Sequence, residues 1–289
     1  MKTNRSLINA VIQLLFKHPK ILFALPVIAV IWFGYENLIA RPGMAFMGVP
    51  QITQAHRDKG LSHILRNDGF MLEYSEGLRN PLWVTYQVTQ ANYKSGKRPR
   101  QFSSDWRSLQ SISHQDYTGS GFDRGHMAPN YLIASRYGRN AQLDTFLMTN
   151  ISPQKANLNQ KSWQRLEELV ANDFHDWFGD FWVVTGPIFS ATPKTLKNSS
   201  VRIPDAFYKI LIKPGQQAEN PQVLAFIFPQ NAGANDSLMK FVSTIDEIEK
   251  RTGLDFFHQL DDNIEALIEA EKSPQKWRLS EVAKRPNRY

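Results

Sequence analysis

The chain has 289 residues, of which 42% are hydrophobic, 12% aromatic and 21% charged. Those values exclude wholesale disorder and collagen-like sequence and supply enough apolar material for a sizeable core. Cysteine is absent, which excludes disulfides, thiolate zinc sites and a cysteine nucleophile. The net charge of +7 sits at the two ends. Residues 1–41 carry Lys2, Arg5, Lys17, Lys20 and Arg41 against Glu36, and residues 271–289 carry Lys272, Lys276, Arg278, Lys284, Arg285 and Arg288 against Glu271 and Glu281. The body between them is close to neutral, so net charge alone does not indicate a nucleic-acid partner.

Ile21 to Tyr35 is a 15-residue run without a charge, preceded by four bases and no acid. This is the pattern of an export signal. The run is short for a membrane span, which needs ~20 residues, but Leu38, Ile39 and Ala40 extend it if Glu36 reaches the interface. Trp32 and Tyr35 near its far end suit an interfacial belt. No A-x-A cleavage site follows. Residues 1–41 therefore read as an uncleaved signal anchor that enters the membrane through residues 21–40. The excess of bases before it places the remainder on the far side from the cytoplasm. The implied location is a single-pass protein of a bacterial inner membrane facing the periplasm or exterior. Secretion after cleavage and a mitochondrial address are the alternatives.

Residues 42–68 lack periodicity and read as a linker. From Gly69 the chain becomes strand-like: Leu82, Val84, Tyr86 and Val88 alternate with Trp83, Thr85, Gln87 and Thr89, the period of a β-strand. Residues 91–107 form a polar loop in which Lys94, Lys97, Arg98, Arg100 and Arg107 outnumber Asp105. Composition allows either a solvated loop or an arm that contacts phosphate. Residues 159–174 read as a helix with Trp163, Leu166, Leu169 and Val170 on one face and Asn157 or Asn159 as its cap. Phe181–Val184, Phe207–Ile212 and Val223–Phe228 are further strands. Thr244 to Arg251 is a helix with capping-box spacing between Thr244 and Glu247 and with Gly253 as its stop. Strands mixed with a few helices, without βαβ alternation, indicate an α+β domain over residues 69–270. The remaining tail, 271–289, is charged, contains two prolines and reads as mobile.

The seven histidines form no H-E-x-x-H pair, and no G-x-S-x-G, Walker A or G-x-G-x-x-G motif is present. His126 is distinguished by its neighbours, Asp123-Arg124-Gly125-His126-Met127-Ala128-Pro129-Asn130. Arg124 has the same strand parity, and the glycine between them allows a close approach of ligand or backbone. The second cluster, Thr149-Asn150-Ile151-Ser152-Pro153-Gln154, runs through Asn159 into the amphipathic helix that carries Glu167. It is rich in the neutral oxygen ligands that suit a hydrated Mg²⁺. Asn159 and Glu167 are eight residues apart, about 12 Å of helical rise, so one direct and one water-bridged contact fit better than two direct ones. The plain alternative is that Asn159 caps the helix and Glu167 is a surface acid.

The segments DRGHMAPN (123–130) and TNISPQKANLNQKSWQRLE (149–167) resemble the hallmark of the DNA/RNA non-specific endonuclease family, which includes secreted bacterial nucleases and mitochondrial endonuclease G. WVTYQVT, SGKRPRQ, VVTGPIF, IPDAFYKI and IDEIEKRTGL extend the resemblance over roughly residues 69–260. It implies a ββα-metal (His-Me finger) fold with a central antiparallel sheet, and hydrolysis of phosphodiester bonds in DNA and RNA to 5′-phosphorylated products. It further implies His126 as general base, with an imidazole near its ordinary pKa of ~6.5. Asn159 would be the direct ligand of Mg²⁺, with Mn²⁺ a possible substitute, and Glu167 would bind through water. Arg124 would contact the phosphate or brace the site, and Arg100 would stabilise charge on the phosphorane. Asn150 would order the loop beside His126, and Asp123 would give structural support. Lys97 and Arg98 would help to bind substrate. The family also makes a homodimer possible. The competing reading is a tethered nucleic-acid-binding module without turnover, which leaves a base beside a metal ligand unexplained.

Overall fold

Apolar residues occupy both sides of the central strands, and that decides the architecture: a sheet so built must be covered on both faces. The structure, a computed structural model, describes residues 17, 19–53, 60–215 and 221–286. It separates into two units, Met1–Gly43 and Met44–Tyr289.

The first unit contains helix α1 (Pro19–Tyr35), which continues as a π-turn over Glu36–Ala40. Val27, Ile28, Val30, Ile31, Trp32 and Phe33 are exposed along α1. The acid that interrupts the apolar run is paired, with Arg41 Nε 3.6 Å from Glu36 Oε2. Ala24–Met44, with a mean hydropathy of 1.2, is the one segment among the described residues long and apolar enough to cross a membrane. The basic residues Lys2 and Arg5 lie outside the described residues.

The strands of the second unit are β1 (Gln51–Ile52), β2 (Ser62–Asn67), β3 (Phe70–Ser75), β4 (Asn80–Val88), β5 (Asp123–His126), β6 (Ile151–Gln154), β7 (Phe181–Ile188), β8 (Ala206–Lys213), β9 (Gln222–Pro229), β10 (Val242–Ser243) and β11 (Leu254–Asp255). The helices are α2 (Asn130–Tyr137), α3 (Arg139–Asp144), α4 (Trp163–Leu169), α5 (His175–Phe178), α6 (Ile245–Thr252), α7 (Asp262–Glu269) and α8 (Leu279–Val282). Seven strands form one antiparallel sheet in the order β10-β9-β8-β7-β4-β3-β2. On β8, Phe207 and Leu211 join a cluster with Trp163, Leu166 and Phe174, while Tyr208, Ile210 and Ile212 join another with Ile245, Ile248 and Phe256. Successive side chains of a strand point to opposite faces, so these two clusters are the two cores of a helix–sheet–helix sandwich. The α+β class is as expected from sequence.

Helix α6 forms as its local signals require. Thr244 Oγ1 accepts the Glu247 amide at 3.1 Å, and Gly253 ends the helix in the left-handed region at φ 65°. Two expected boundaries shift. The stretch 42–68 is not simply a linker: Ala45 is buried among Trp83, Tyr208 and Phe257, and β2 forms an edge of the large sheet. The tail 271–289 is not free over its described part. Trp277 is 1% exposed and packs 5.7, 5.1 and 5.4 Å from Phe174, Phe178 and Phe181, with Leu279, Val282 and Ala283 in the same core. Arg285 donates to Asp173 at 2.7 Å. Charge dominated the composition of this tail, but four apolar side chains are enough to dock it. Removing a buried Trp costs about 3–5 kcal/mol. Trp277→Ala should therefore lower the chemical-denaturation free energy by about that amount, whereas a tail without a docked role would leave it unchanged.

Candidate active site

Two four-residue strands and one helix build the site. β5 and β6 pair antiparallel with Asp123 opposite Gln154, Arg124 opposite Pro153, Gly125 opposite Ser152 and His126 opposite Ile151. Past His126, Asn150 secures the chain. Its Oδ1 accepts the Ala128 amide at 2.9 Å, its Nδ2 donates to the carbonyls of Ala128 at 3.1 Å and Thr145 at 3.0 Å, and its carbonyl accepts the Met127 amide. Asn150 is fully buried, so each of these bonds replaces water that is not otherwise reachable. After β6 the chain enters a π-turn over Leu158–Ser162 and then α4. Single π-turns within helices reset the direction of the side chains they carry. Asn159 sits in this one. Neither Asn157 nor Asn159 acts as a side-chain cap. The Asn159 Nδ2 instead donates to Asp123 Oδ2 at 2.9 Å, and Gln160 Nε2 donates to the same oxygen at 2.7 Å.

A cavity of about 820 Å³ opens over this junction, with His126, Arg124, Asp123, Asn159, Glu167 and Arg98 in its wall. His126 is held between rings, 5.2 Å from Phe102 and 5.0 Å edge-on to Phe146. Its Nε2 is enclosed and has no hydrogen-bond partner, which leaves Nδ1 as the ring nitrogen that can serve the cavity. Burial, and then the charge of Arg98, push the imidazole down to about 3. The expected value near that of a free histidine does not hold in this setting. The ring is neutral at physiological pH, so one of its nitrogens carries a free lone pair. On Glu167, Oε1 accepts the Trp163 indole N–H at 2.9 Å and lies 3.8 Å from Lys209 Nζ. Burial raises the Glu167 carboxyl, and Lys209 opposes that rise.

The basic loop contributes one arginine to the cavity wall, and it is Arg98. Its guanidinium lies 5.3 Å over the Phe146 ring. Burial lowers its pKa, with Glu167 acting in the opposite direction. Lys97, Arg98 and Arg100 are all exposed, and Lys97 and Arg100 stand outside the cavity wall. The loop is fixed beyond them, where Ser103 N donates to Phe146 O and Ser103 O accepts Met148 N, both at 2.9 Å. Asp105 closes the anchor: Arg107 donates to both its oxygens at 2.9 and 2.7 Å and Thr149 Oγ1 donates at 2.7 Å. Burial pushes the Asp105 carboxyl up, but these bonds outweigh it and hold it below its usual range. Arg124 donates to the His114 carbonyl from Nε at 3.2 Å and Nη2 at 2.6 Å, and to Thr118 Oγ1 at 2.9 Å. It braces β5 at the cavity edge.

Residues 50–263 match the sequence profile of the DNA/RNA non-specific endonucleases. The chain belongs to that family. It is 34% identical over 200 residues to a nuclease of Serratia marcescens, covering 65% of this chain and 72% of that one. It is 30% identical over 261 residues to mitochondrial endonuclease G of Bos taurus, covering 82% and 83%. To the mitochondrial nuclease EXOG of Homo sapiens it is 29% identical over 209 residues, and the chain spans 55% of that protein's length. A solved structure of the EndoG/EndoGI complex aligns with a TM-score of 0.64 at 24% identity, covering 71% of this chain and 90% of that one, which shows the shared fold. The chain is thus a hydrolytic endonuclease of a metal-dependent family with the ββα-metal fold.

Several wall and support residues lie outside the two sequence motifs. Phe102 and Phe146, which frame His126, belong to unremarkable segments, and only the fold brings them together. Lys209 had a visible signal: a lysine at the parity of Phe207 and Leu211 interrupts an apolar face. The glycine of the Asp123–His126 motif also has a different reason from the one expected. A Cβ at Gly125 would fall inside the Gln154 side chain, so the space belongs to Gln154 and not to a ligand. Gly125→Ala should therefore lower the thermal midpoint and cleavage together, and Gln154→Ala in the same chain should restore part of both. An unchanged midpoint in Gly125→Ala would contradict that reading.

Proposed function

We propose that the chain is a Mg²⁺-dependent endonuclease, with Mn²⁺ a possible substitute, that cleaves DNA and RNA without regard to base sequence or sugar and leaves 5′-phosphates. The observation that carries this reading is the convergence of His126, Asn159, Glu167 and Arg98 on one cavity, with the Asn159 amide nitrogen committed to Asp123. That commitment turns the Asn159 carbonyl oxygen into the group available to a hard cation. Neutral oxygen and carboxylate donors suit Mg²⁺, which keeps several waters. Asn159 would hold the ion directly, with Glu167 holding it through a water. Bound there, the ion supplies electrostatic stabilisation of the charge that builds on the phosphate and on the leaving 3′ oxygen.

The chain's own residues divide the remaining work. His126, half-buried beside Arg98 and neutral there, takes a proton from the attacking water at Nδ1. Its ring is aimed by Phe102 and Phe146 and by the backbone that Asn150 secures. Arg98 places positive charge in the cavity wall, where it can meet the scissile phosphate. Arg124 has bonds to His114 and Thr118 and keeps β5 in place at the rim. Phosphate is the feature common to all nucleic acids, so a site that grips it carries no sequence information. Anchorage through residues 21–40, with the catalytic unit facing away from the cytoplasm, rests on the apolar segment and on the bases that precede it.

The direct test is cleavage of plasmid and of RNA by the detergent-solubilised chain with Mg²⁺ and with EDTA. Both substrates should be degraded with Mg²⁺ and neither with EDTA. His126→Ala should lose about 10²–10⁴-fold in rate, and Arg98→Ala should lose far more than Arg100→Ala. Binding without cleavage under any divalent metal would replace the enzyme with a tethered binding module. Equal losses at the two arginines would return Arg100 to the site.

A further inference from the structure

Lys209 is a fully buried lysine in the middle of the central sheet. It stands on β8 between Phe207 and Leu211, in the core beneath α4, and is 0% exposed. Its Nζ lies 3.8 Å from Glu167 Oε1, 4.4 Å above the centre of the Trp163 ring and 3.4 Å from the Tyr86 hydroxyl. Trp163 Nε1 donates to the same Glu167 oxygen at 2.9 Å. Burying an ammonium ion is costly, and a buried ion pair is poor evidence of stability because apolar side chains of like volume usually serve as well or better. A methionine would fill this space. The lysine therefore needs a reason other than packing.

We propose that Lys209 is a positioning residue for the nuclease site: it pins Glu167 Oε1 against Trp163 from inside the core, so that Oε2 faces the cavity in one fixed orientation. The proposal rests on the nuclease reading for its purpose, and on the contacts around Glu167 for its geometry. Two groups converge on one carboxylate oxygen. The indole N–H fixes its direction, the ammonium supplies the opposite charge, and the Trp163 face lends that fully buried ammonium a cation–π contact. Glu167 is 20% exposed, so it is held at the boundary between core and cavity. Outer partners of a metal site orient the groups that serve the ion, and their loss typically weakens binding about 10–100-fold.

The experiment is a double-mutant cycle in the full chain: wild type, Lys209→Met, Glu167→Gln and the double variant. The readouts are thermal unfolding, Mg²⁺ binding by calorimetry and plasmid cleavage. Lys209→Met should lower the unfolding midpoint and weaken Mg²⁺ binding about 10–100-fold. Adding it to Glu167→Gln should weaken binding no further and should cost less in midpoint than it does alone, because the carboxylate it serves is already gone. Wild-type Mg²⁺ binding in Lys209→Met, or losses that simply multiply in the double variant, would overturn the proposal. If Lys209→Met alone does not fold, a folded double variant supports the proposal and an unfolded one overturns it. A wild type that does not cleave fails the nuclease reading alone, since the coupling in unfolding midpoint still decides whether Lys209 acts on Glu167.

Discussion

One carboxylate ties the candidate site together. Asp123 Oδ2 accepts hydrogen bonds from the side-chain amides of both Asn159 and Gln160. This joins the first residue of β5 to the π-turn that precedes α4. A short strand pair and a helix have little area with which to fix each other, so polar bonds at the junction set the geometry. A carboxylate can accept from several donors, and such charge-assisted bonds are stronger than neutral ones. The bond also decides which end of the Asn159 amide is offered to the cavity. Asn150 does the corresponding task on the other side, where it stitches the segment after His126 to the turn before β6. The two motifs are thus two halves of one clamp.

Around that clamp, burial supplies the electrostatics. His126 lies between Phe102 and Phe146 and is kept neutral by those surroundings and by Arg98. The Arg98 charge also bears on Glu167, so one arginine acts on both His126 and Glu167. Beneath, the seven-stranded sheet is buried on both faces and gives the helix a rigid seat. Low-dielectric surroundings strengthen each charge placed there and make an unpaired one costly. The pairing of Glu167 with Lys209, and of Asp105 with Arg107 and Thr149, answers that constraint in the wall of the cavity and in the loop leading to it.

Much of this was legible in the chain itself. Period-2 alternation marked the sheet, the Thr244–Glu247 spacing marked α6, and the two long motifs marked the family and its clamp. What escaped has a common physical cause. The docking of Trp277 depends on a pocket formed by Phe174, Phe178 and Phe181, which are distant in sequence. Neighbouring arginines, Arg98 and Arg100, have the same local signal, and the fold distinguishes them by setting Arg98 over the Phe146 ring in the cavity wall. The depressed basicity of His126 depends on residues brought in by the fold. The glycine at 125 looked like room for a ligand until the opposite strand placed Gln154 there.

The proposed role of Asp123, orienting Asn159 toward a bound cation, is tested by calorimetric titration of Asp123→Ala with Mg²⁺. Binding should be weakened about 10–100-fold, in a protein whose circular dichroism shows the fold intact. Wild-type affinity in that folded variant would contradict it.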